Sequence, residues 1–112
     1  MIDYREAIIE RADPPEGADF TGLLVKYGVK DSYDTIFAEG CFRADLASDP
    51  MRVLLANHER SSPVGALECS DAKDGVRVIG TVNTSIPDGE RVKQMVDFNR
   101  AHGVKTGLSV GF

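Results

Sequence analysis

Polar and apolar residues alternate most cleanly in GVRVIGTV, from Gly75 to Val82. Val76, Val78 and Gly80 alternate there with Arg77, Ile79 and Thr81. A period of two is what a strand with one buried face requires. The preceding VGALECS reads as its partner strand, and the DAKDG between them carries an Asp-Gly pair, a strong hairpin-turn signal. DFTGLLVKY, from Asp19 to Tyr27, is rich in β formers and predicts a strand. MRVLLAN predicts a buried strand leading to His58, and the final VKTGLSVGF is extended and returns toward the sheet. Near the N-terminus Ile8 and Ile9 are adjacent, which fits a strand or a helical turn equally well. Asp13, Pro14, Pro15, Glu16 and Gly17 then break any regular element.

One long helix is predicted from Pro87 and Asp88 to about Ala101. Val92, Met95, Val96 and Asn99 lie near one face with Phe98 beside them, and Gly103 suits the left-handed residue after the last turn. CFRADLAS predicts a short helix with Phe42 and Leu46 one turn apart, stopped by Pro50. GVKDSYDTIFAEG reads as a loop with a short extended piece from Thr35 to Phe37. The order is five or six strands with one short and one long helix. It predicts a mainly β, α+β fold, an antiparallel β-barrel or sandwich with helices packed on it.

The 112 residues fit one small domain. A net charge of -5 opposes non-specific binding to nucleic acid, whose phosphates are held mainly by Lys and Arg. No apolar run approaches the roughly 20 residues that span a bilayer, and the N-terminus is too charged for a secretory signal. A cytoplasmic protein is expected, with neither nucleic acid nor membrane as a partner. Cys41 and Cys69 are expected as free thiols, buried as small apolar residues. No ligand spacing points to a metal or a cofactor.

The chemistry of interest is in the last residues. TGLSVGF places Ser109 between two glycines. The G-x-S-x-G letters match the nucleophile elbow of the α/β-hydrolases, but that turn needs a following helix and a histidine later in the chain. Here His58 and His102 both precede the serine. Histidine before serine is still a workable order, because an imidazole must only reach the hydroxyl to take its proton. His58 is the better partner, at the end of an apolar strand and the start of a polar loop.

Four stretches together resemble the tailed-phage prohead proteases, serine proteases of head maturation that are similar in fold to herpesvirus assemblin. They are FTGLLVKYGVKDSYDTIFAEGCF (Phe20 to Phe42), VLLANHERSSPVGAL (Val53 to Leu67), DGVRVIGTV with the helix around GERVKQMVDF, and TGLSVGF. The resemblance spans nearly all of the chain after Asp19. It implies a small antiparallel β-barrel over residues 18–112, with residues 1–17 as an N-terminal arm or first strand. It implies a serine endopeptidase that cleaves scaffold or capsid-protein segments inside the assembling prohead, in the host cytoplasm. Carried over by position, His58 is the general base and Ser109 the nucleophile. Glu59 is the nearest candidate for the third member, and Glu68 and Asp97 are others. Asp31 and Asp34 read as turn residues, and His102 as a partner of the helix dipole. Gly107 and Gly111 read as sites of close strand approach.

Family members continue past the equivalent of Phe112. The barrel is therefore expected to lack C-terminal strands, leaving an open edge for self-association. The alternative function is a truncated or inactive relative that acts as a capsid-associated structural or binding protein. The expected partners are the major capsid protein and scaffold segments.

Overall fold

Six strands pair in one antiparallel ring in the order β1-β2-β5-β4-β3-β6, with β6 returning to β1. The computed structural model describes residues 4–30, 36–55, 63–105 and 107–111, with 4–7 and 108–111 as backbone only. The strands are β1 (Tyr4–Ile9), β2 (Phe20–Lys26), β3 (Met51–Leu55), β4 (Pro63–Ala72), β5 (Gly75–Val82) and β6 (Gly107–Gly111). A short helix, α1 (Arg43–Ser48), precedes β3, and a long one, α2 (Pro87–His102), joins β5 to β6. The domain is mainly β, of α+β class, with one short and one long flanking helix, as the pattern predicts.

Alternation builds the interior. In β5, Val76, Val78, Gly80 and Val82 face inward while Ile79 and Thr81 face solvent. Phe20, Leu54, Val64, Leu67, Val76, Val78 and Val96 are fully buried. Each such side chain contributes on the order of 1.5–3 kcal/mol relative to exposure. Two neighbouring pairs break the alternation. Leu24 and Val25 are both buried, as are Leu54 and Leu55, and the pairing register shifts at each site. An extra residue in one strand lets consecutive side chains share a face.

The β4–β5 hairpin corrects the expected turn. Ala72 stands opposite Gly75, so the two turn residues are Lys73 and Asp74, and Gly75 already belongs to β5. Gly75 has no left-handed φ. A Cβ there would fall on the carbonyl oxygen of Val25, so glycine is required by the close approach of β2.

Helix α2 is set against the sheet by Asp19. Its backbone N–H donates to Gly80 at 2.8 Å, its carboxylate accepts from the Val82 N–H at 2.6 Å, and Lys93 of α2 lies 3.6 Å away. Pro87 opens the helix and Gly103 ends it at φ 69°. The expected apolar face is partly wrong. Gly89 and Val96 are buried and Val92 packs on the core, but Met95 is 39% and Phe98 60% exposed. In α1, Leu46 alone is buried, and Phe42 packs partly buried against the core.

The open edge expected at the C-terminal strand is not at β6, which pairs with β1 on one side and β3 on the other. The thin seam of the ring lies instead between β1 and β2. There the register holds only Ile8 opposite Leu23 and Ile9 opposite Gly22, extended by the Glu10 N–H donating to Thr21 at 2.9 Å. Among the described residues Cys69 is buried as expected, but Cys41 is exposed, because it sits in the turn before α1 and outside the strands.

Candidate functional site at the β3–β6 pair

Backbone register brings the two sequence segments of interest to adjacent strands. Ser109 lies in β6 opposite Glu6 of β1 and opposite Leu55 of β3. Leu55 is the last residue of β3 and stands three positions before His58 in the sequence. The strands are antiparallel, so β3 runs toward the end of the barrel at which β6 begins with Gly107. Strand β4 also starts at that end, with Pro63 opposite Leu55. His58 and Glu59 lie outside the described residues, as do Asp31 and Asp34. For Ser109 the backbone position is described and the side chain is not.

The other candidate acids are engaged elsewhere. Glu68 is exposed on β4, opposite Met51 and Ile79. Met51 is four residues from Leu55, about 13 Å along β3 at strand rise. Asp97 accepts from Lys93 Nζ at 2.5 Å on α2. His102 is exposed in the last turn of α2. Its ring stacks on Phe98 with centroids 4.1 Å apart, and its Nδ1 lies 2.9 Å from the Phe98 carbonyl oxygen. A histidine there complements the carboxyl end of the helix. Cys69 is held protonated, because burial pushes its thiol up to about 11.

One polar cluster has no signature in sequence spacing. The Tyr27 hydroxyl donates to Asp71 Oδ1 at 2.5 Å, and Arg43 Nε donates to Asp71 Oδ2 at 2.9 Å. The three residues come from the turn after β2, from β4 and from α1. Burial, then the bond to Asp71, pushes the Tyr27 phenol up to about 12. The Tyr27 bond and then the Arg43 bond hold the Asp71 carboxyl below its usual range. The cluster fastens α1 to the sheet immediately before β3.

Among the described residues no group of three or more His, Cys, Asp or Glu side chains is arranged to hold a metal ion. No helix among them is long and apolar enough to cross a membrane. No protein-family model, no curated protein and no solved structure matches the chain.

Proposed function

We propose that the protein is a serine endopeptidase of the prohead-protease type, cleaving scaffold or capsid-protein segments during phage head maturation. The observation that carries this reading is the β3–β6 pairing. It sets the Ser109 backbone beside Leu55, three residues before His58. A nucleophile on one strand and a base three residues past the end of its neighbour can be held by a rigid scaffold within reach of one another. In this reading His58 removes the proton from Ser109 Oγ as that oxygen attacks the scissile carbonyl. Backbone N–H groups near the serine, or a nearby arginine, stabilise the oxyanion. His58 then returns the proton to the leaving amine, and water hydrolyses the acyl-enzyme with the same imidazole as base. Glu59 is the third member in this reading and fixes the tautomer of the His58 ring. The work is done inside the assembling prohead, in the host cytoplasm.

The test is covalent labelling by a fluorophosphonate, read by peptide mass spectrometry, together with incubation of the protein with its capsid precursor. The expected result is an adduct on the peptide containing Ser109 and a fragmented precursor, both lost in Ser109→Ala. An adduct or a fragment pattern that is unchanged in Ser109→Ala overturns the assignment.

A further inference from the structure

The loop after β1 and the last turns of α2 enclose an open hollow of about 420 Å³ lined by Arg11, Asp13, Asp97, Arg100 and Ala101. Both carboxylates already have a cation. Asp13 lies 3.3 Å from Arg100 Nη2, and Asp97 lies 2.5 Å from Lys93 Nζ. Arg100 also donates through Nη2 to the Ala12 carbonyl at 3.2 Å, so it holds the β1–β2 connection against the helix. Its buried Nε has no hydrogen-bond partner among the described residues. Arg11 is exposed and has no ion pair among the described residues. Its guanidinium lies over Gly103, where an added Cβ would come within 3.1 Å of Nη1. The absence of a side chain at Gly103 leaves room for that placement.

We propose that this hollow binds an oxyanion, a carboxylate or a phosphate group, with Arg11 as the primary donor. A guanidinium presents two parallel N–H groups that match the two oxygens of such an anion, and a bidentate pair is among the stronger charge-assisted bonds. The hollow offers this fork without a competing internal counter-ion on Arg11, while Arg100 and Lys93 offset the charge of the two carboxylates in its wall. It lies at the barrel end where β1 finishes and β6 begins, since Ile8 stands opposite Gly107. The site needs only these side chains and stands whether or not the chain is a peptidase.

The test is a titration of the full isotopically labelled chain at fixed ionic strength, following the arginine side-chain N–H signals by NMR. One arm uses inorganic phosphate and the other acetylglutamate. The expected result is a saturable shift of the Arg11 signal, and the anion that saturates it at the lower concentration identifies the source. Arg11→Gln weakens binding at least about tenfold. Asp13→Asn, which removes a nearby negative charge, tightens it about threefold to tenfold. Shifts that do not saturate, that spread evenly over all arginines, or that persist in Arg11→Gln overturn the proposal. So does an Asp13→Asn variant whose affinity is unchanged or weaker.

Discussion

The phenol of Tyr27 and the carboxylate of Asp71 share a 2.5 Å hydrogen bond across 44 residues of sequence. Arg43 holds the second oxygen of the same carboxylate. Both titrating groups favour the folded state in their mid-pH forms. The Tyr27 contribution is fully present below the ordinary tyrosine range near about 10 and is lost as pH rises through about 12. The Asp71 contribution is present above the ordinary aspartate range near about 4 and fades as pH falls through its lowered folded value. Stability measured by urea denaturation is therefore expected to fall below the ordinary aspartate range and again at alkaline pH, where the raised Cys69 thiol adds a loss that begins near 9. Absorbance of tyrosinate is expected to show a tyrosine that ionises near about 12 and is missing in Tyr27→Phe. Tyr27→Phe removes a bond to a charged group and is expected to cost about 1–2 kcal/mol while reducing the alkaline loss to the part that Cys69 contributes.

Gly75→Ala is expected to destabilise the domain by about 2–3 kcal/mol, since its Cβ would meet the backbone oxygen of Val25, which cannot rotate away. Were Gly75 a turn glycine, the penalty would come from a left-handed φ, which it does not have. Urea midpoints of Gly75→Ala and Asp74→Ala separate the two explanations. Only the glycine substitution is expected to carry the steric cost.

The two apolar residues Val96 and Phe98 are expected to respond oppositely to their size. Val96 is fully buried under α2, and Val96→Ala is expected to cost about 2 kcal/mol. Phe98 is 60% exposed, and Phe98→Ser is expected to stay within about 0.5 kcal/mol of the parent. Thermal or urea unfolding of the two variants side by side reads the difference.

For the peptidase reading, His58→Ala is expected to reduce the rate of phosphonate labelling at Ser109 by about a thousandfold or more. Glu68→Gln and Asp97→Asn are expected to leave it within a few-fold, because Glu68 faces solvent on β4, opposite the far end of β3, and Asp97 is bound to Lys93. Labelling kinetics on the three variants give the answer. A large loss in Glu68→Gln or Asp97→Asn would move the third member away from Glu59.

Local pattern carried much of this fold. Val76, Val78 and Gly80 set the inner face of β5 before any partner is known, and Pro50 and Gly103 mark where helices stop. Long-range geometry was hidden. Nothing in the letters of β6 says that its neighbours are β1 and β3, and the open edge expected there followed from the resemblance, whose members continue past the equivalent of Phe112. The surplus of apolar residues on α2 fits several faces equally, and packing on β4 and β5 chose the face of Gly89 and Val96 over that of Met95 and Phe98. Cys41 is exposed where its residue type suggests burial, because burial of a turn residue depends on what lies above it. For the candidate site, sequence supplied His58, Glu59 and Ser109, and the register supplied the adjacency of β3 and β6. Tyr27, Arg43 and Asp71 were invisible because their bonds join distant segments.

The seating of β6 between β1 and β3 joins Tyr4 to Gly111 and Val53 to Gly111. The earliest strand therefore waits for one of the latest before its outer side is occupied. During synthesis, β3, β4 and β5 can assemble as a meander with β2 beside β5 and with α2, while β1 and β3 display bare backbone. That interval is when a nascent chain is most exposed to pairing with its neighbours. Insertion of Gly107–Gly111 ends it, so this five-residue strand acts as the late bolt of the molecule, and the high sequence separation of its contacts sets a slow pace for folding.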